Sequence, residues 1–205
     1  MFLSSTIPGS AAEPVSADLS RIYLIRGVGG MIPPLQGPVR QQFESKGLEV
    51  VSFKFTQKAK ASREIERAHR DGELKGGIII VGYSLGGCSA LRVCRMLEKR
   101  SIPVKMLFLI EVANPFQTVP SNVEECFNFY RFPALIGKSI KADSERTFLV
   151  NCEAYEEAGF GIEYTHFVIP FFERVHDLIS NEVVAAIREE SPGGGEESFF
   201  QVKSP

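Results

Sequence analysis

Ser84 stands in the run Gly82-Tyr83-Ser84-Leu85-Gly86, with a glycine two residues before it and another two residues after it. An apolar stretch at 77–81 precedes this run, and an amphipathic stretch at 86–99 follows it. A serine between a buried strand and a helix sits on a sharp turn that exposes its Oγ above the sheet edge, where only small neighbours fit. The pattern predicts a nucleophilic serine, with the Leu85 N–H and the helix start facing any oxyanion formed there.

A serine hydroxyl needs a base within hydrogen-bond distance, and the base needs an orienting acid. Of the three histidines, His69 lies in a highly charged stretch, and His176 falls inside a predicted helix at 171–188. His166 lies near the end of the apolar run 162–169, where a strand of an α/β sheet would present a side chain at the sheet edge. We therefore expect His166 to be the base, with a buried core histidine as the alternative.

The sequence identifies the acid that would orient the base less clearly. Glu111 lies near the end of the apolar run 104–112, and a buried carboxylate needs a partner because an unpaired buried charge is strongly destabilising. An imidazole would be such a partner, while bonds to the backbone or to Asn114 are the structural alternative. The competing acids follow or precede the predicted strand 147–150: Asp143, Glu153, Glu156 and Glu157. We favour Glu111.

A second oxyanion donor is expected in the loop Arg26-Gly27-Val28-Gly29-Gly30, which follows the first predicted strand. Glycines let a backbone approach a ligand closely, so the N–H of Val28 or Gly29 can lie beside that of Leu85. We expect Gly29, Tyr83 and Phe116 to contact the substrate. The chain has neither G-x-G-x-x-G nor G-K-[ST], which argues against a nucleotide-phosphate loop.

Strand-like and helix-like stretches alternate along the chain. Strands are predicted at 22–25, 50–55, 77–81, 104–112, 147–150 and 162–169, and helices at 34–46, 59–70, 86–99, 121–140 and 171–188. This alternation predicts an α/β fold, a single-domain three-layer α/β/α sandwich with a mostly parallel central sheet. Catalytic groups in such sheets collect at the carboxyl ends of the strands.

The length of 205 residues predicts one domain at 20–190, between a flexible arm at 1–19 and a flexible tail at 191–205. A net charge of −2 gives no electrostatic reason to expect nucleic acid as a partner. No apolar run approaches the roughly 20 residues of a membrane span. The N-terminus has no basic residue and no apolar core of a secretion signal, so we expect a cytoplasmic location.

The four cysteines show no C-x-x-C spacing. They are Cys88, Cys94, Cys126 and Cys152. Their apolar surroundings favour reduced core thiols over disulfides or metal ligands. No metal and no organic cofactor is expected.

Gly82–Gly87, the helix after it and the stretch Met106–Pro115 together resemble the α/β-hydrolase superfamily. Residues 77–115 are most similar to thioesterase domains that release acyl chains from carrier proteins. The resemblance extends over about 21–190, with a poor match at 116–146. It differs at Arg26-Gly27, where the family has His-Gly, and in the short distance from the nucleophile to the base, which leaves no room for a helical lid.

Carried over residue by residue, the resemblance implies Ser84 as nucleophile, Glu111 as acid in place of the usual aspartate, and His166 as base. It implies the amides of Val28 and Leu85 as the oxyanion hole. A lidless α/β hydrolase of this kind, close to thioesterases and to small lipases and esterases, would cleave carboxylic esters or thioesters, free or carrier-bound. Two alternatives remain open: an inactive binding or regulatory module of the same fold, and an acyltransferase or amidase with the same triad. The oligomeric state is equally open.

Overall fold

The computed structural model describes residues 21–27, 38–45, 48–113, 117–130, 138–153 and 181. The predicted arm at 1–19, the tail at 191–205 and the strand at 162–169 lie outside these residues, as does the predicted helix at 171–188 apart from residue 181. The domain boundaries therefore stay predictions.

The described residues alternate between strands and helices in the order that the sequence predicts for its first two thirds. The strands are β1 (Arg21–Arg26), β2 (Glu49–Lys54), β3 (Ile78–Tyr83), β4 (Val104–Ile110), β5 (Val123–Tyr130) and β6 (Phe148–Glu153). The helices are α1 (Pro38–Ser45), α2 (Lys58–Arg70) and α3 (Leu85–Glu98), and a short 3₁₀ turn, Phe55–Gln57, leads into α2.

The strands form one sheet in the order β2-β1-β3-β4-β5-β6, and every pairing is parallel. From β1 the chain continues to β2 on one side, and from β3 it continues to β4 on the other side, so the strand order reverses between β1 and β3. The connections that leave these two neighbouring strands therefore run to opposite faces of the sheet. A crevice opens at the carboxyl ends of two strands arranged in this way, and ligands bind there in open α/β sheets. Gly27 and Ser84 follow the two strands directly.

Alternating side chains of the strands build a core on each face of the sheet. On the first face, residues such as Tyr23, Ile80 and Leu107 pack with the buried sides of α2 and α3. On the second face, residues such as Leu24, Val81 and Phe108 pack in a cluster that includes Phe43 of α1. The helices thus cover both faces, and the predicted α/β class with three layers is confirmed.

The prediction of a helix over 121–140 is wrong, because this stretch contains β5. Its sequence, Val-Glu-Glu-Cys-Phe-Asn-Phe-Tyr, is rich in aromatic residues that favour a pleated, half-buried surface. Four consecutive residues from Cys126 to Phe129 are buried because β4 and β6 flank the strand and both faces are covered. A strand buried on both faces has no polar alternation to identify it.

Two extended stretches, 117–120 and 138–143, lie over β5 and β6 on the first face. Val119 forms an isolated parallel bridge with Ala142, and Val119 and Ile140 are buried in the core of this face. The side-chain amide of Asn128, in β5, donates to the Lys138 carbonyl and to Asn151 Oδ1. These contacts attach both stretches to the sheet.

All four cysteines are buried and none forms a disulfide, as the spacing predicts. Burial raises the pKa of the Cys94 thiol to about 12 and that of Cys126 well above its ordinary value, which disfavours the reactive thiolate. In the part of the chain that the structure describes, no helix is long and apolar enough to cross a bilayer.

Candidate active site

Ser84 lies between the last residue of β3 and the first residue of α3, with φ +56° and ψ −123°. This left-handed conformation is rare for a residue other than glycine. The Ser84 N–H donates to the Ile110 carbonyl of β4, while its carbonyl accepts from the N–H groups of Gly87 and Cys88. The serine is thereby fixed from both sides, as the sequence predicts for a strand–turn–helix.

Three glycines let the backbone segments around Ser84 approach one another. A Cβ at Gly86 would collide with the Ile25 carbonyl of β1, and a Cβ at Gly82 would lie 2.7 Å from the Gly87 Cα. A Cβ at Gly27 would lie 3.1 Å from the Ser84 Cβ and 3.0 Å from the Tyr83 carbonyl oxygen. The end of β1 therefore lies against the serine turn, and the two glycines of the motif are needed for steric reasons.

Leu85 is the first residue of α3, whose axis begins directly behind the serine. The first N–H groups of a helix have no partner within the helix, and the helix dipole adds positive potential at this end. The role of the Leu85 amide as an oxyanion donor stays a prediction. The Leu85 side chain is partly exposed beside the core of the first face.

Glu111 directly follows β4, the strand beside β3, and only 1% of its surface is exposed. Tyr83 pairs with Ile110, so Ser84 and Glu111 directly follow two paired positions of neighbouring strands. Glu111 has φ +48° and donates its N–H to the Phe129 carbonyl. The sequence predicts strand through 112, but β4 ends at Ile110, and Glu111 with its positive φ follows the carboxyl end of the strand.

The phenol of Tyr83 is close enough to Glu111 to be affected by its charge. Burial, first, and the negative charge of Glu111, second, raise the pKa of Tyr83 well above its ordinary value. Tyr83 is 3% exposed and its ring belongs to the core of the second face. Its predicted substrate contact stays a prediction.

Several predicted site residues lie outside the described residues. They are Val28 and Gly29 of the oxyanion loop, Phe116, the base His166, His176, Asn114, and the alternative acids Glu156 and Glu157. Their roles stay predictions. Among the described residues, His69 lies exposed on α2. Asp143 forms an ion pair with Arg95 at 2.9 Å.

Glu153, another alternative acid, ends β6. Two strands separate β6 from β3 in the sheet, so at about 4.8 Å per strand their backbones lie roughly 14 Å apart. Glu111 is one strand away. The geometry therefore favours Glu111 over Glu153 as the partner of a base that reaches Ser84.

A pocket of about 260 Å³ lies beside the serine turn, and no sequence motif predicts it. Its wall combines one face of α3 with the turn that leads into α2 and with Gln117. The lining residues are Phe55, Thr56, Lys58, Leu85, Cys88, Ser89, Arg92 and Gln117. Arg92 is recognisable from the sequence as part of the polar side of α3, but nothing in the sequence places Lys58 near it.

Among the described residues, no group of three His, Cys, Asp or Glu side chains is arranged to hold a metal ion.

In a comparison with protein families, residues 74–125 fit the model of the thioesterase domain. This stretch contains the Ser84 turn, all of α3, β4 and Glu111. The resemblance to the α/β-hydrolase superfamily is confirmed. The match covers the centre of the chain and supports a hydrolase. A comparison with curated proteins finds no match.

Several solved structures are similar to the chain. The RedJ thioesterase of the prodiginine biosynthetic pathway in Streptomyces coelicolor is 16% identical with a TM-score of 0.39, over 58% of this chain and 53% of that one. An α/β-superfamily hydrolase from Xanthomonas campestris is 13% identical with a TM-score of 0.45, over 81% and 99%. A YdeN-like hydrolase from Pectobacterium atrosepticum is 16% identical with a TM-score of 0.48, over 84% and 94%. The chain thus spans about half the length of the RedJ thioesterase.

Proposed function

We propose that the protein hydrolyses acyl thioesters through an acyl-enzyme intermediate on Ser84. The observation that carries the proposal is the backbone of Ser84, a non-glycine residue held at φ +56° between a buried strand and a helix, at the reversal of strand order. Such strain is typical of functional positions, and a strand–turn–helix serine is the nucleophile arrangement of α/β hydrolases.

In the first half of the proposed reaction, the Ser84 Oγ attacks the carbonyl carbon of the thioester as His166 accepts its proton. The amides of Leu85 and Val28 bind the oxyanion of the tetrahedral intermediate. The carbon–sulfur bond then breaks, and the proton passes from His166 to the thiolate. The products are a free thiol and an acyl ester of Ser84.

In the second half, His166 takes a proton from water, and the hydroxide attacks the acyl ester. The carbon–oxygen bond to Ser84 breaks, the proton returns to the serine, and a carboxylic acid leaves. Glu111 orients the imidazole and stabilises its charged form. A carboxylate buried beside the serine turn suits this role, because low solvent exposure strengthens its interaction with an imidazolium.

Thioesters are favoured over oxygen esters because the matched family is the thioesterase domain, and the match includes the serine turn. The acyl group would be carried on a small thiol or on the prosthetic arm of a carrier protein. Two alternatives use the same residues. They are hydrolysis of oxygen esters and acyl transfer to an alcohol or amine. Adding an acceptor alcohol or amine and analysing the products separates transfer from hydrolysis.

The experiment that tests the proposal is labelling with a fluorophosphonate probe, with the modified peptide located by mass spectrometry. We expect an adduct on Ser84 in the wild type and none in folded Ser84→Ala. The same two proteins are then assayed with a short-chain acyl thioester, and Ser84→Ala should lose at least roughly 10³-fold in kcat. Folded wild type with neither adduct nor turnover would contradict the proposal and favour a binding module.

A further inference from the structure

The pocket beside the serine turn follows one face of α3. Leu85, Cys88 and Arg92 succeed one another on this face, and all three line the pocket. Ser89 Oγ donates to the Phe55 carbonyl at 2.7 Å, which holds the turn before α2 against the helix. The pocket is therefore bounded by two elements that are bonded to each other.

Two positive charges line this pocket without a carboxylate. Lys58 and Arg92 belong to its wall, and none of the eight lining residues is Asp or Glu. Among the residues that the structure describes, neither cation forms an ion pair, whereas Arg67, Arg95 and Arg100 all do. Two unpaired cations in the wall of one pocket favour an anionic occupant.

The part of the wall next to the nucleophile is apolar. Leu85 directly follows Ser84, Cys88 lies about one helical turn further along α3, and Phe55 lines the same pocket. Arg92 lies about 10 Å beyond Leu85 along the helix axis, at 1.5 Å per residue. An occupant that suits the whole wall therefore carries a negative charge about 10 Å from an apolar group.

The volume of the pocket limits the kind of occupant. It is about 260 Å³, which is below the roughly 300–1,000 Å³ of pockets that enclose drug-sized ligands. A short peptide segment that inserts one or two side chains suits such a volume, and the rest of the segment can lie on the surface outside it.

One stretch of this chain combines a negative and an apolar part in the required spacing. Residues 196–200 read Glu-Glu-Ser-Phe-Phe, two carboxylates followed by two aromatic rings. The three residue steps from Glu197 to Phe200 span about 10 Å when extended. This is the length of the wall between Arg92 and Leu85. The stretch lies outside the described residues, and we call it the acidic–aromatic segment.

The chain that leads to the acidic–aromatic segment is long enough to permit contact with the pocket. The sequence predicts a helix to residue 188, so 189–196 is the connecting stretch. Eight extended residues span up to about 28 Å. A domain of about 170 residues has a radius of gyration of about 15 Å, so the connecting stretch is of the order of the size of the domain.

We propose that the acidic–aromatic segment binds in this pocket of its own molecule, with its carboxylates at Lys58 and Arg92 and an aromatic ring at Leu85. The docked segment covers the approach to Ser84, so this state is autoinhibited. Docking by itself does not depend on hydrolysis, whereas the inhibition rests on the proposed function of Ser84. A molecule that competes for the pocket would release the segment and expose the nucleophile.

A cross-link tests the docking directly, because Cys88 is the one of the four cysteines that lines the pocket. The full chain with Phe199→Cys is oxidised with diamide, which removes the two thiol hydrogens, and the disulfide is located by mass spectrometry. We expect a disulfide between Cys88 and the thiol at position 199. Adding Glu196→Gln and Glu197→Gln should slow its formation about tenfold, the effect of losing a charge-assisted contact.

These results can contradict the proposal in two ways. An equal rate with and without the two carboxylates would show that their charge does not direct the segment to the pocket. A disulfide that joins two chains would place the segment on a second copy of the protein. Either result overturns the proposal, as does the absence of any disulfide with Cys88.

Reversing the charges tests the ionic contact in the same cross-linking assay. In the Phe199→Cys chain, Arg92→Glu and Glu197→Arg should each slow the disulfide about tenfold, and the two together should restore part of the rate. The matched control is Lys60→Glu, an exposed position of α2 that does not line the pocket, and it should leave the rate unchanged. An equal loss in Lys60→Glu, or no restoration in the double reversal, would overturn the proposed contact.

Labelling of Ser84 with a fluorophosphonate measures the inhibition separately. We expect Glu196→Gln/Glu197→Gln to be labelled several-fold faster than the wild type, and high salt to accelerate the wild type because it screens the contact. Equal labelling rates would overturn the autoinhibition. A disulfide with Cys88 in a chain whose Ser84 is not labelled would support docking and contradict the proposed hydrolysis, and labelling without the disulfide would do the reverse.

Discussion

Ser84 occupies a backbone conformation that costs roughly 1–3 kcal/mol for a non-glycine residue. The surrounding contacts hold it there: its N–H donates to β4, its carbonyl accepts from the first turn of α3, and only 8% of the residue's surface is exposed. A strained serine with such support is pre-organised, so little reorganisation is needed when a substrate arrives.

The proposed role of Glu111 as the acid that orients the base can be tested by a single substitution. If it orients the base, Glu111→Gln keeps the shape but removes the charge, and we expect kcat to fall by roughly 10³- to 10⁴-fold. Labelling of Ser84 by a fluorophosphonate should slow in parallel. The kcat values against a short-chain acyl thioester, measured on protein shown to be folded by circular dichroism, check this.

The control for Glu111→Gln is Glu153→Gln, at the end of β6 and three strand positions from β3. We expect it to retain kcat within about threefold of the wild type, since the end of β6 lies roughly 14 Å from β3 in the sheet. A large loss of kcat in Glu153→Gln, together with a wild-type kcat in Glu111→Gln, would show that Glu153 and not Glu111 is the acid.

At the scale of the elements, α3 and β1 meet where Gly86 lies. Helix propensity alone predicts that Gly86→Ala stabilises the protein, because alanine is favoured over glycine by about 1 kcal/mol in a helix. A Cβ at this position collides with the backbone of Ile25, which cannot rotate away as a side chain can. We expect the clash to dominate, lowering the free energy of unfolding by about 1–3 kcal/mol and also lowering kcat.

Gly87→Ala is the matched control on the same helix. There the added Cβ would lie 2.9 Å from Cγ2 of Val112, so the close contact is with a side-chain atom and is longer than the contact of Gly86 with backbone. We expect the free energy of unfolding, measured by urea denaturation, to change by less than about 1 kcal/mol. Equal effects of the two substitutions would show that the contact of Gly86 with β1 is not what constrains the turn.

At the scale of the whole molecule, an ion-paired cluster attaches the segment around Asp143 to α3. Arg95 Nη1 donates to Asp143 Oδ2 at 2.9 Å, and Arg95 Nη2 donates to the Thr118 carbonyl and hydroxyl oxygens. The hydrogen bond with Thr118, first, and then Arg95 hold the pKa of Asp143 below its ordinary value of 3.8. The cluster links two stretches of chain that cover β5 and β6.

A lowered pKa means that Asp143 stabilises the fold when it is charged. This contribution is fully present above pH 3.8 and is lost as the pH falls through the lower pKa of the folded state. Asp143→Asn should therefore lower the free energy of unfolding at pH 7 by about 0.5 kcal/mol, a small value because both partners are over one-third exposed. The difference from the wild type should shrink as the pH falls below 3.8.

Urea denaturation of both proteins from pH 7 to pH 3 measures this convergence. Glu145→Gln removes a nearby exposed carboxylate without touching the cluster, and it should parallel the wild type throughout. A constant difference between Asp143→Asn and the wild type across this range would show that the ionisation of Asp143 does not contribute.

Most strands up to β4 could be predicted from the sequence, since their apolar, β-branched runs carry a local signal. The helices on either side of Ser84 carry the same kind of signal in their 3.6-residue spacing. The aromatic stretch of β5 is different, because a strand buried on both faces lacks the alternation that separates it from a helix. Its identity depends on β4 and β6, which bond to it from either side.

The turn at Ser84 follows from the sequence by itself. Two glycines, an apolar run before them and a helix after them are local features, and their steric consequences do not depend on the rest of the chain. The position of Glu111 beside Ser84, and the meeting of Lys58 with Arg92 in one pocket, were decided only by the tertiary structure. Strand order and the packing of α2 against α3 bring these residues together across long stretches of chain, and no local pattern encodes such contacts.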